Sequence, residues 1–454
     1  MYSTNRFSLK ICLTLICGVL AMGPVAAQED DEDRARRESE SQKTKQAQAV
    51  SKAVYDKIQS AQEMVDAKDY NGALKSLNNL YNPDKLTEYE QANVLNYIGF
   101  VYYNMDDTAN AIRTYERMLA IPSLEGQMAK QTTYTLAQLL TMEEQYTKAL
   151  ATLDKWFQLE PNPAPEPFIL KAQNLYQVQR YADMIEPIKN AMRVAEKRGK
   201  EVKEDWYVLL NFAYFQQEDY RQVRDIQKTL LANWPKKRYW FSLAGAFTEL
   251  GEDDNLINAY AAAHDQRMLE KESELVTMAQ LFMQREVPYK AGQLLEKEMA
   301  SGRVSKNAKN YRLLSQAWQL SMEDEKAIPA LTEAARLSTD GELDVRLGNA
   351  LLNTGNYKDC TSAVRNGIRK GGLKSPDNAQ ISLGMCLYNL RQYSAAIEAF
   401  SAAAKTPRSR KVANQWINVI RADIERNEQI RLAEEAARKK RLEIQKRLEK
   451  SGRA

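Results

Sequence analysis

One histidine, His264, serves the whole 454-residue chain. A single imidazole leaves no two-histidine metal site and no His-X-X-X-His pair, and it argues against a Ser-His-Asp relay. Most hydrolytic and zinc chemistries fall away with it. Glycine and proline are scarce, 18 and 13 residues, which argues against a turn-rich all-β chain. No Gly-X-Gly-X-X-Gly or Gly-Lys-Ser/Thr loop is present to cradle a phosphate. Charge of one sign is also lacking, since 64 Lys+Arg stand against 60 Asp+Glu. What remains is a helix-rich composition with no catalytic equipment. Its length suits about three domains at roughly 150 residues each, unless short repeats stack as one body.

Residues 1–27 carry Arg6 and Lys10, an apolar run from Ile11 to Met22, and Gly23-Pro24-Val25-Ala26-Ala27 before the acidic Gln28-Glu29-Asp30-Asp31. A basic start, about a dozen apolar residues and small residues before a polar break predict a secretory signal peptide cleaved after Ala27, and hence a periplasmic protein. The alternative is an uncleaved anchor, but spanning a bilayer needs about 20 apolar residues. Neither Cys12 nor Cys17 follows a small residue as a lipid-acceptor cysteine should. Cys360 and Cys386 remain, 26 residues apart. In an oxidising compartment they can close a disulfide; otherwise each is a small buried residue at a helix contact.

Aligned on itself, the chain shows a small residue inside a first helix and, usually twelve residues later, a small or short apolar residue opening a second. The first series is Ala61, Gly99, Ala137, Ala172, Asn211, Ala244, Ala279, Ser315, Gly348 and Gly384, at steps of 33 to 39 residues. The second is Ala73, Ala111, Ala149, Met184, Val223, Leu256, Ala291, Ala327, Cys360 and Ala396. Turn signatures such as Lys68-Asp69-Tyr70, Asp219-Tyr220 and Gly355-Asn356-Tyr357 fall between the two. Antiparallel helices approach closely only where side chains are small, and apolar residues three and four away complete the buried stripe. One such pair buries too little by itself, so neighbours must stack.

These residues resemble the tetratricopeptide repeat family. Asn96-Tyr97-Ile98-Gly99-Phe100-Val101-Tyr102 with Ala111-Ile112-Arg113-Thr114-Tyr115 looks like its Leu-Gly, Tyr, Ala, Tyr signature, and Pro161 and Pro235 sit where its closing proline falls. The resemblance implies an all-α solenoid, a right-handed superhelix of about ten helix hairpins over 51–405, with a long C-terminal helix. Met184, Val223 and Leu256 depart from the expected Ala in the middle units. The stretch 161–167, Pro161-Asn162-Pro163-Ala164-Pro165-Glu166-Pro167, is predicted to be an extended connector, either hinge-like or packed on its neighbours.

The two ends differ from the body. Residues 28–50 are acidic, then mixed, with few large apolar residues, and are predicted to be a disordered leader. Residues 405–454 carry a net charge of +8, although the chain from residue 28 onward carries only +2. Val412, Trp416, Val419, Ile420 and Ile424 follow helical spacing, so 406–425 reads as a capping helix. Residues 426–454 read as a charged, basic helix or tail, stabilised by pairs of opposite charge four apart, or else as a docking or membrane element; a basic helix could also bind nucleic acid, but export argues against that partner.

In the resembled family, ligands lie on the face of the first helices. The corresponding residues here are Asn96, Phe100, Tyr103, Asn104, Tyr134, Gln138, Gln173, Tyr176, Gln177, Phe212, Phe215 and Gln216, continued by Gln280, Gln316, Asn349, Tyr388 and Asn389. This set is aromatic and amide, without the family's basic clamp for a peptide carboxylate. Rings and amides suit an extended or proline-rich segment; the other reading is that the aromatics pack between neighbouring first helices.

Lys306-Asn307-Ala308-Lys309-Asn310, the run from Ser321 to Pro329, Lys370-Gly371-Gly372-Leu373-Lys374 and the run from Arg408 to Trp416 look like periplasmic repeat proteins found beside the TonB, ExbB and ExbD transport machinery. That resemblance implies a non-enzymatic scaffold without cofactor or metal, binding cell-envelope proteins and accessory to TonB-dependent transport. The alternative is a self-assembling adaptor, a homo-oligomer joined by coiled-coil pairing of its C-terminal helix.

Overall fold

The structure, a computed structural model, describes residues 50–452. The signal segment 1–27 and leader residues 28–49 lie outside the described residues. After Ala195 the chain divides into two compact units. Among the described residues there is no strand.

The first unit holds four helix hairpins: α1 Lys52–Asp66 with α2 Tyr70–Leu80, α3 Glu88–Asn104 with α4 Thr108–Leu119, α5 Gly126–Met142 with α6 Tyr146–Leu159, and α7 Pro165–Gln177 with α8 Ile185–Lys197, whose last two residues pass into the second unit. The second unit holds six: α9 Glu204–Gln216 with α10 Tyr220–Asn233, α11 Lys237–Glu249 with α12 Asp253–Asp265, α13 Glu272–Gln284 with α14 Pro288–Ala300, α15 Ala308–Leu320 with α16 Asp324–Leu337, α17 Glu342–Asn353 with α18 Tyr357–Lys370, and α19 Pro376–Asn389 with α20 Tyr393–Ala404. Helix α21, Pro407–Ser451, comes last. The ten hairpins match the ten units of the sequence periodicity one for one, and within each unit they form an all-α solenoid.

Each hairpin closes on its small residue. Nine of the ten residues in the first series and all ten in the second are buried, the exception being the half-buried Asn211. A Cβ built on Gly99 would lie 2.8 Å from the Tyr115 ring, and one on Gly384 would lie 2.8 Å from the Phe400 ring. The second helix therefore sets its aromatic ring directly on the backbone of the first, a contact only glycine permits.

The turn between the helices is equally regular. Lys68, Asp106, Glu144, Gln179, Glu218, Gly251, Glu286, Met322, Gly355 and Arg391 all have positive φ. The next residue's amide donates to the carbonyl five residues back in every hairpin, from Asp69 to Met64 through Gln392 to Leu387. This left-handed closure satisfies carbonyls that the helix end would leave bare. Aspartates 69, 107 and 219 then cap the second helix by accepting from Gly72, Asn110 and Gln222 backbone amides.

Two expected boundaries change. The connector is not extended over 161–167: α7 begins at Pro165, and both Pro165 and Pro167 are buried in its first turn. First-turn amides have no intrahelical acceptor, so proline there sacrifices no hydrogen bond. The expected pieces 406–425 and 426–454 are one continuous helix from Pro407 to Ser451, divided by burial alone. Ala413, Ile417 and Ile420 are buried against hairpins nine and ten, whereas every residue from Ile424 through Arg447 is exposed.

Helix α21 is fastened at both ends of its buried part. Ser409 and Arg408 donate to the Asp377 carboxylate, at 2.6 Å and 2.7 Å. Trp416 stacks on Phe400 with centroids 5.7 Å apart, and Tyr388 donates to Asp423 at 2.7 Å. The Arg408 hydrogen bonds, then that of Ser409, hold the Asp377 carboxyl well below its ordinary value of 3.8. A depressed carboxylate stabilises fully above its ordinary pKa and loses that contribution as pH falls toward the folded one.

Met322→Gly, at a 90% exposed left-handed position, will raise the urea midpoint by about 0.5–1 kcal/mol of stability, and Gly355→Ala will lower it by about 1 kcal/mol. Amide-exchange protection over 407–420, relative to the intrinsic rate at each pH, will fall below about pH 4, and Asp377→Asn will reproduce that loss of protection at neutral pH.

Candidate functional site

The predicted face residues occupy fixed places relative to the small residue of their helix: three before it, one after, and four and five after. At helical periodicity those places form one stripe beside the hairpin contact. Nine of the twelve lie in the first unit and three in the second.

In the first unit Asn96 and Gln177 are exposed, and Gln138 and Gln173 are half-buried. Phe100 and Tyr103 are half-buried and rest on the core of hairpins one to three. The Asn104 amide donates to the Phe100 carbonyl at 2.8 Å, within its own helix. Tyr176 lies against Tyr181, with centroids 6.0 Å apart. Tyr134 behaves differently: its ring lies 5.0 Å from Trp156 and packs with Ala137, Leu153 and Leu170. Burial, then the nearby Glu166 carboxylate, pushes its hydroxyl up to about 12. Tyr134 therefore spends its ring on packing.

In the second unit Phe212 is half-buried, Gln216 is exposed, and Phe215 is 45% exposed with its edge toward Tyr220. Farther along, Tyr388 is covered rather than outward, since it holds Asp423 and Trp416 of α21. No group of residues able to hold a metal ion occurs among the described residues. No described helix is long and apolar enough to cross a membrane.

No known family matches the chain, and no curated protein matches it. Solved structures do. A tetratricopeptide repeat protein from Parabacteroides merdae is similar at 14% identity over 63% of this chain and 94% of its own, with a TM-score of 0.34. YrrB, described as a TPR protein with an unusual peptide-binding site, is similar at 16% identity over 41% of this chain and 95% of its own, with a TM-score of 0.34. The MamA protein is similar at 19% identity over 37% of this chain and 90% of its own, with a TM-score of 0.32.

Several polar residues not anticipated from the repeat pattern join one hairpin to the next. Asn174, fully buried, exchanges hydrogen bonds with Thr141 and donates to the Leu170 carbonyl, tying hairpin three to hairpin four. The position seven before the small residue is charged in five repeats and reaches toward the opening of the next one. Lys130 meets Glu160, Glu204 meets Lys236, Lys237 meets Glu270, Glu272 meets Ser305, and Asp377 meets Arg408. Hydrogen bonds from Lys236, then Tyr239 and Arg238, hold the Glu204 carboxyl down to about 2. A charge recurring at that register was the available signal.

The lone histidine belongs to this class. His264 Nε2 lies 3.1 Å from Glu298, which is 1% exposed and also accepts from Arg303 at 2.6 Å. Burial raises the Glu298 pKa, yet bonds from Arg303 and His264 outweigh it and leave the carboxyl lowered.

Cys360 and Cys386 form a disulfide with Cα atoms 6.1 Å apart, both fully buried. It joins α18 to α19, and so hairpin nine to hairpin ten. Cys360 fills the small position that Ala occupies in six other repeats, which is why spacing alone left both readings open. The double variant Cys360→Ala/Cys386→Ala will keep its helicity and lose about 3 kcal/mol of stability, read as a lower denaturant midpoint that dithiothreitol does not shift further.

Proposed function

We propose that this protein is an exported, non-catalytic scaffold of the tetratricopeptide type whose first-helix face holds an extended segment of a cell-envelope protein, as an accessory to TonB-dependent transport. The observation that carries the reading is the row of amides and rings on α3, α5 and α7. Asn96, Gln138, Gln173 and Gln177 present hydrogen-bonding groups, while Phe100, Tyr103 and Tyr176 offer partly exposed rings between them.

An extended backbone exposes carbonyls and amides at intervals that secondary structure would otherwise satisfy, and Asn and Gln supply both donor and acceptor. A proline-rich segment is already extended before it binds, so little ordering entropy is lost, and its rings lie flat on Tyr and Phe. The near absence of fixed charge among these residues favours such a segment over an acidic or basic one. Export is supported by the basic-apolar-small pattern of 1–27, and an oxidising compartment by the Cys360–Cys386 disulfide. The TonB connection rests on the similarity of the strings around Lys306, Ser321, Lys370 and Arg408, and it makes the proline-rich stretch of a TonB-like protein the natural ligand.

Replacing Asn96, Tyr103 and Gln177 together with Ala will weaken binding of a labelled proline-rich peptide from such a partner by at least about ten-fold, with unchanged helicity by circular dichroism. Equal binding by the variant would remove this face, and no binding by the parent protein would remove the partner.

A further inference from the structure

The outer half of α21 presents its whole circumference to solvent. From Glu425 to Arg447 every residue is exposed, and four are large and apolar: Ile430 at 50%, Leu432 at 46%, Leu442 at 47% and Ile444 at 49%. Helices of this length draw most of their stability from packing rather than propensity, so such a segment calls for a partner. Its charges are sorted along the axis. Residues 424–437 hold four glutamates and two arginines, whereas 438–447 hold six lysines and arginines and one glutamate.

The sorting is finer than a simple gradient. Reflected about Ala437, Glu435 falls on Lys439, Glu434 on Lys440, Arg431 on Glu443 and Glu428 on Lys446. The apolar residues reflect onto their own kind, Leu432 on Leu442 and Ile430 on Ile444, and Gln429 falls on Gln445. No like charges coincide anywhere from 427 to 447. Reflection about a point is what a two-fold axis across two antiparallel helices imposes on residues at the same level.

We propose that 427–447 is a self-docking surface, occupied by the same segment of a second copy of this chain, antiparallel, with the two-fold axis at Ala437. The seam spans about 30 Å at 1.5 Å per residue. Ile430, Glu434, Ala437, Lys440 and Ile444 share one stripe of the helix at spacings of three and four. Ala437 meets its own copy at the centre, where a small side chain lets the backbones approach. On either side Glu434 stands level with Lys440 of the second copy, and Ile430 with its Ile444. Parallel pairing would instead set each glutamate beside a glutamate and Lys439-Lys440 beside themselves. Within one chain Arg431 is already bonded to Glu428 and Glu435, but Glu434, Lys439, Lys440, Glu443 and Lys446 have no ion-pair partner among the described residues. An anionic membrane would suit the six cations but not the four glutamates that precede them.

The test uses the full chain with Cys12 and Cys17 replaced by Ser. Light scattering across a concentration series will show mass rising toward twice that of the monomer. Glu434→Lys/Glu435→Lys will weaken dimerisation by about ten-fold, and adding Lys439→Glu/Lys440→Glu will restore it. Under mild oxidation Ala437→Cys will cross-link to itself. Ile430→Cys alone will not, because its copies stand about 21 Å apart along the axis, but an equal mixture of Ile430→Cys and Ile444→Cys chains will. A monomer at every concentration overturns the proposal, whether or not that monomer sediments with phosphatidylglycerol vesicles. Self-cross-linking of Ile430→Cys overturns the antiparallel register.

Discussion

The approach distance within a hairpin is set at one position, and the rest of each unit inherits it. Gly99 and Gly384 accept the ring sixteen residues ahead, Tyr115 and Phe400, and Gly348 accepts Val364 at the same offset. Because the contact is side chain on backbone, it fixes rotation as well as distance: a helix that rolled would drive its neighbouring large residues into the partner. The left-handed turn then returns the chain at one geometry in all ten hairpins. Eight of those turn residues are not glycine, so the hairpin contact must outweigh about 1 kcal/mol of backbone strain at each. With rotation fixed, the places one, four and five after the small residue have only one way to face, and the candidate binding stripe is a consequence of the clasp.

Stacking of successive hairpins uses a second device. Apolar surface is non-directional and would tolerate sliding between repeats, whereas a charge at the start of one first helix bonded near the start of the next fixes their register. Lys130, Glu204, Lys237, Glu272 and Asp377 do this from the same helical position. The more exposed of these pairs add little stability, so their value lies in specifying one alignment among many, whereas the buried Asp377 carboxylate also fastens α21. The His264–Glu298–Arg303 cluster is a buried version. There a carboxylate lies 1% exposed, and losing either partner would leave it poorly compensated.

Periodicity made the hairpins legible because a small residue at a fixed interval is a strict steric requirement, visible in a single chain. Sixteen-residue partners and face positions can be found from it by counting. Finer features were hidden for physical reasons. Prolines mark an extended connector and a helix start equally well, and only the packing of Pro165 and Pro167 distinguishes them. Tyr134 and Tyr103 occupy comparable stripes, yet Trp156 stands opposite the first and claims its ring. Tyr388 looked outward until α21 folded over it, a contact between segments 35 residues apart. Cysteine in a slot that alanine also fills has no signature until the distance to its partner is known.

Hairpin five shows what happens when the clasp departs from its rule. Asn211 stands at the small position and Gln227 sixteen residues ahead, so two amides replace the usual small residue and its packed partner. The Asn211 Oδ1 and Gln227 Oε1 atoms are buried with no hydrogen-bond partner among the described residues. Ser315, the other polar member of the series, avoids this by donating to the Arg312 carbonyl at 2.8 Å. An unsatisfied buried acceptor costs about 1–3 kcal/mol, and two in one hairpin weaken its closure relative to those with glycine against a ring. Helix α9, which carries Phe212, Phe215 and Gln216, therefore closes on a contact of a different kind from the glycine-against-ring clasps, and the difference lies in the helix contact itself rather than in a loop.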